Sequence, residues 1–100
     1  MRRISLVLVV VALAAGLARQ AGAIDTMGVG AQPCRIFLEE RDGPRRNEFL
    51  AWILGYLSGL AVERNQDMLA DQTADSVMAR AVELCSRDPE QYLDDVLDDF

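Results

Sequence analysis

The sequence predicts an all-α fold, a small disulfide-stapled bundle of three to four short helices around a central apolar helix. Three observations carry this. Residues 49–62 contain no charged side chain, and a helix that is apolar all round is one buried all round. Val77, Met78, Ala81, Val82 and Cys85 recur at helical spacing, so a further helix has one apolar face. No stretch alternates apolar and polar residues with the period of two that marks a strand.

Residues 1–23 read as a signal peptide. Arg2 and Arg3 form a basic start and residues 4–18 are apolar and uncharged. Ala21, Gly22 and Ala23 supply small residues before a cleavage expected ahead of Ile24. The apolar run is short for a bilayer span, which needs about 20 residues; an uncleaved membrane anchor is the alternative. Residues 24–33 carry small and turn-forming residues without periodicity and read as a flexible lead-in to a helical domain at 34–100.

Within that domain, Cys34, Phe37 and Leu38 share a face of a short helix, which Arg41, Asp42, Gly43 and Pro44 end. The central helix starts after Pro44, with Asn47 as its cap or in its first turn. Phe49, Leu50, Ile53, Leu57 and Leu60 form its bulky side. Ala51, Gly55, Ser58 and Gly59 form a small-residue side, flanked by Trp52, Tyr56 and Val62. Residues 63–71 are a polar connection anchored by Met68 and Leu69. A third helix follows, capped by Thr73 or Asp71. Asp88, Pro89 and Gln91 have the pattern of a helix start: a capping acid, proline at the first position and glutamine reaching back. Tyr92, Leu93, Val96, Leu97 and Phe100 give that last helix its apolar side.

Charge narrows the function. The chain has ten basic and 16 acidic residues, and no histidine. Every basic residue is an arginine; cleavage removes Arg2, Arg3 and Arg19, leaving seven arginines against 16 acids, a net charge of −9. Such a chain repels phosphate backbones and anionic lipid, which argues against nucleic-acid and membrane-surface partners. Without histidine or lysine, the usual general bases and Schiff-base nucleophiles are missing. Glu39 and Glu40, or Asp94 and Asp95, are adjacent pairs that do not face each other on a helix, so neither makes an acid/base dyad. Asp94 with Asp98, and Asp95 with Asp99, do share faces. Calcium, however, takes about six to eight oxygens from a shaped loop, and these four acids read as solvated charge. No enzymatic activity, metal or cofactor is expected.

Cys34 and Cys85 are the only cysteines. In an exported chain two cysteines pair, and two without histidine make a poor zinc site. Their loop of about 50 residues corresponds to roughly 4 kcal/mol of loop entropy, a large share of the stability of so small a core.

The motifs "CRIFL" at 34–38, "WILGYLSG" at 52–59 and "ELCSRDPEQYL" at 83–93 together resemble the HdeA/HdeB family of periplasmic acid-stress chaperones. The resemblance covers residues 34–100. It implies an all-helical domain with Cys34 joined to Cys85 in the periplasm, and a homodimer at neutral pH. It also implies activation at low pH, where such proteins loosen and shield unfolding periplasmic proteins from aggregation. This chain differs from the best-known members in having no lysine and in ending on a strongly acidic segment. A second resemblance, to the Rap1a/Tai immunity proteins, rests on a small exported helical chain with a Gly-Tyr-containing helix; those proteins commonly carry further cysteines. It implies one secreted toxin as the protein partner.

Gly55 and Gly59 each weaken the central helix by about 1 kcal/mol relative to alanine. Two reasons are open. Another helix of the same domain, or the disulfide, approaches closely there. Alternatively, Trp52, Gly55, Tyr56 and Gly59 form a dimer or partner surface.

Overall fold

A computed structural model describes residues 26–100. Residues 1–23, expected as a signal peptide, and the cleavage expected ahead of Ile24 lie outside the described residues. The chain is all-helical: a 3-10 turn at Val29–Ala31, then α1 (Cys34–Glu40), α2 (Arg46–Arg64), α3 (Ala74–Arg87) and α4 (Leu93–Leu97). A Cys34–Cys85 disulfide joins the start of α1 to the end of α3, with Cα atoms 5.1 Å apart and both residues fully buried.

Helix α2 is the axis of the fold. It begins after Pro44 with no side-chain cap, and Asn47 lies in its first turn. It ends at Asn65, in the left-handed conformation with φ 50°, whose N–H donates to the carbonyls of Ala61 and Val62. Phe49, Ile53 and Leu57 are fully buried, with Leu50 and Leu60 half-buried beside them, as the bulky side requires. Phe37 of α1 meets Phe49 with ring centroids 5.4 Å apart.

Helix α3 is capped by Thr73. The Thr73 hydroxyl accepts from the Ser76 N–H, and the Ser76 hydroxyl accepts from the Thr73 N–H. Val77, Met78, Ala81 and Cys85 are buried as the spacing predicts, but Leu84 completes the face where Val82 was expected. Val82 is only half-buried against the core.

The structure departs from expectation at both ends. Asp88 and Pro89 do not start a helix. Asp88 ends α3, and the next helix begins only at Leu93, after an extended Tyr92. The intervening carbonyls are used elsewhere. Gln91 O accepts from Cys34 N–H at 2.7 Å and Pro89 O from Arg35 N–H at 2.8 Å, so this turn caps α1, whose own N-cap is a proline with no capping side chain. Pro33 and Tyr92 form an isolated antiparallel bridge, and Leu93 N–H donates to Gln32 O. Of the 24–33 stretch, expected as a flexible lead-in, the described residues 26–33 likewise contribute structure. Its 3-10 turn buries Val29 in the core and packs against both α2 and α4.

Candidate functional site: two sides of the central helix

The aromatic side of α2 is tied to the segment before α1 and to the segment after α3. Trp52 and Tyr56, one turn apart, stack with centroids 5.1 Å apart and planes at 14°. The Trp52 indole lies on the backbone of the 3-10 turn. A Cβ at Gly30 would overlap its six-membered ring, so no other residue fits there without moving the indole. Gly28 adopts φ 89° beside the same indole. The Trp52 Nε1–H donates to the Met27 carbonyl at 3.1 Å. Tyr56 reaches the other end: its hydroxyl donates to Asp98 Oδ1 at 2.7 Å. Arg64, in the last turn of α2, donates both terminal nitrogens to the Asp98 carbonyl at 3.2 Å. Burial, then the Asp98 hydrogen bond and the charges of Asp98, Asp94 and Asp95, push the Tyr56 phenol far above its usual range. Burial, then the charges of Asp94 and Asp98, raise the Asp95 carboxyl.

The small-residue side has no such cover. Ala51, Gly55, Ser58 and Gly59 are exposed, and Val62 at their end is 83% exposed. Among the described residues, nothing outside the helix's own adjoining backbone lies within 4 Å of a Cβ built at Gly55 or Gly59. The Ser58 hydroxyl turns inward and donates to the Leu54 carbonyl at 2.6 Å. The expectation that another helix of the domain, or the disulfide, approaches these glycines is therefore not met. Both contacts are absent, because the 3-10 turn and α4 occupy the aromatic side, and α1 and α3 the bulky one. The four residues read from the sequence as one surface are divided. Trp52 and Tyr56 are half-buried against their own chain, whereas Gly55 and Gly59 face solvent.

Several charged side chains elsewhere in the fold pair with one another. Arg45 donates to Glu40 at 2.9 Å and Glu48 at 3.0 Å, and its guanidinium lies 5.3 Å from the Phe49 ring centroid. The hydrogen bond from Arg45 is the main cause that holds the Glu48 carboxyl below its usual range. On α3, Glu83 pairs with Arg80 at 3.0 Å and Arg87 at 2.7 Å. The Arg80 hydrogen bond leads the causes that lower the Glu83 carboxyl. Beside α3 an open groove is lined by Arg41, Asp42, Arg46 and Asp75 over Met78, Ala79 and Val82. Its charges are matched internally: Arg46 bonds to Asp75 and to the Arg41 carbonyl. Among the described residues, no three metal-ligating side chains cluster, and no helix is long and apolar enough to cross a membrane.

Sequence reasoning missed Gly28, Gly30 and Arg64. Gly28 and Gly30 lie in a stretch with no periodicity, and only their pairing with a distant indole gives them a role. Arg80 and Arg87 are near the last helix in sequence, but the arginine that caps it comes from α2. No family model, curated protein or solved structure matches the chain.

Proposed function

We propose that this is an exported periplasmic binding protein rather than an enzyme, and that it acts as an acid-stress chaperone holding unfolding proteins at low pH. The observation that carries the reading is the bare side of α2. It is an uncharged helix face, running about 20 Å at 1.5 Å per residue, that none of the described residues covers. An uncovered apolar face on a small exported domain favours a protein partner. Acid dependence is supported by the titratable groups. With no histidine, almost no side chain changes charge between pH 8 and 6, while the carboxylates titrate near pH 4. Below that range the mature chain passes from net negative to net positive on its seven arginines. The same face is a candidate seam for a homodimer at neutral pH. The test is aggregation of unrelated periplasmic proteins with and without this protein at about pH 3 and pH 7. Protection at low pH alone supports the chaperone; protection at neither pH rejects it.

The alternative is a Rap1a/Tai-type immunity protein that binds one secreted toxin. The specific observation in its favour is that the bare face is already formed in the folded chain and needs no acid to expose it. A one-to-one complex with a single toxin at neutral pH, without acid protection of other proteins, favours it over the chaperone.

A further inference from the structure

The two helices joined by the disulfide are held together a second time, without covalent bonds. Cys34 opens α1, and Cys85 lies two residues before the end of α3. Past Arg87 the chain crosses the start of α1. Gln91 O accepts from Cys34 N–H at 2.7 Å and Pro89 O from Arg35 N–H at 2.8 Å. Pro33 bridges Tyr92, and Glu90 faces Arg35 at 3.7 Å across a solvent-exposed pair that adds little. Helix α1 has seven residues and no capping side chain, too short to persist alone. Its first turn therefore depends on this crossing segment. Both cysteines are fully buried, and thiol–disulfide exchange needs a thiolate in contact with a sulfur.

We infer that residues 88–92 form a gate over the Cys34–Cys85 disulfide, and that a dithiol reductant reaches the bond by local opening of this gate rather than by unfolding of the whole domain. The gate does not rest on the chaperone reading. Residues 86–92 are all exposed, so backbone bonds hold the segment and core burial does not. Its bonds end on the first two residues of α1, so its release frees the N-terminal turn that carries one of the two sulfurs. The rest of the fold stays in place. Leu93, Val96 and Leu97 keep α4 buried against α3, and Phe37 stays on Phe49. A segment held by few bonds and no buried side chain opens more often than the core. Once it is open, a thiolate of the reductant attacks one sulfur, and the other leaves as a thiolate and takes a proton. The second thiol of the reductant then resolves the mixed disulfide. Two electrons and two protons pass to Cys34 and Cys85, and the reductant departs as its own disulfide.

Reduction of the folded, oxidised mature chain by dithiothreitol tests this, read beside native-state hydrogen exchange. The opening that admits dithiothreitol should match the one that exposes the Cys34 and Arg35 amides. It should be at least about tenfold more frequent than the opening that exposes the Ile53 and Leu57 amides. Low urea should change it little, because a local opening exposes little surface. A glycine inserted after Glu90 moves Gln91 O off the Cys34 N–H without touching a buried residue, and should speed reduction about tenfold. A glycine inserted after Asp71, an exposed residue of the α2–α3 connection, lengthens the disulfide loop by the same one residue and should leave the rate unchanged. Reduction that keeps pace with Ile53 and Leu57 exchange and carries the full urea dependence of unfolding overturns the gate. Equal acceleration by both insertions, or by neither, overturns it as well, because access then does not run through residues 88–92.

Discussion

Two sides of one helix, both free of charge, meet opposite fates. On the aromatic side, Trp52 and Tyr56 offer large faces and one polar hydrogen each. The segments flanking the disulfide loop bring a carbonyl, a carboxylate and two side-chain-free positions, and close over them. On the other side, Ala51, Gly55, Ser58 and Gly59 offer little area, and no element of the fold is drawn to them. The glycines teach this most directly. Gly30 is required because an indole occupies the place of its Cβ, whereas Gly55 and Gly59 face open space and weaken their own helix with no gain inside the monomer. An apolar helix is thus covered only as far as its side chains give neighbours something to pack on.

The largest break comes from removing the staple. Cys34→Ser should lower stability by roughly 4 kcal/mol, the loop-entropy value for a separation of 51 residues. Denaturant titration measures it, and thiol labelling of the unfolded wild type should find no free cysteine.

The two glycine classes should then respond with opposite sign. Gly30→Ala forces the Trp52 indole or the 3-10 turn to move and should cost about 1–3 kcal/mol. Gly55→Ala meets nothing and should stabilise the monomer by about 1 kcal/mol. If Gly30→Ala were as stable as wild type, the covered side would not depend on close approach. Gly55→Leu sharpens the other half: equilibrium sedimentation should show it more monomeric than wild type if the bare side is a dimer seam, and unchanged if the seam lies elsewhere.

A smaller effect is expected at the Tyr56 clamp. Tyr56→Phe keeps the stack on Trp52 and removes only the hydrogen bond to Asp98, at a cost of about 1 kcal/mol. The loss should localise to α4, read by NMR shifts of residues 93–98.

Acid should act with opposite sign at different ends of the molecule, with the smallest effects per group. The Glu48 and Glu83 carboxyls are lowered in the fold, so the stability they add is complete above their unfolded pKa and is lost as pH falls through the lower folded value. Asp95 is raised, so it destabilises the fold at neutral pH, and that penalty is relieved as pH falls through its folded value toward the unfolded one. Like-charge repulsion among Asp94, Asp95, Asp98 and Asp99 weakens in the same range. Residues 92–100 should therefore gain helix on acidification from pH 6, before the Arg45–Glu48 and Arg80–Glu83 contacts are lost. Residue-resolved NMR titration checks the order; constant helicity of 92–100 down to about pH 3 would leave the acidic end a solubility role only.

Much of this was legible in the sequence. The bounds of α2 follow from Pro44 and from the uncharged run, its buried line Phe49, Ile53 and Leu57 from helical periodicity, and the start of α3 from Thr73. The tie between Cys34 and Cys85 follows from two cysteines in a chain read as exported. The last helix was misplaced because Asp88 and Pro89 carry a valid local start signal, while their segment is bound to the N-terminus of α1. The candidate surface was legible as a set of residues but not as a geometry.

By itself, then, the sequence determined what depends on neighbours along the chain: helical periodicity, caps, breaks, charge and the absence of histidine and lysine. Only the tertiary structure decided which side of α2 is covered, that Gly30 must be glycine while Gly55 need not be, and that Arg64 holds the C-terminal segment. These are contacts between residues from 20 to more than 30 positions apart. Their free energy comes from the shape of one surface against another, and no local pattern encodes that fit.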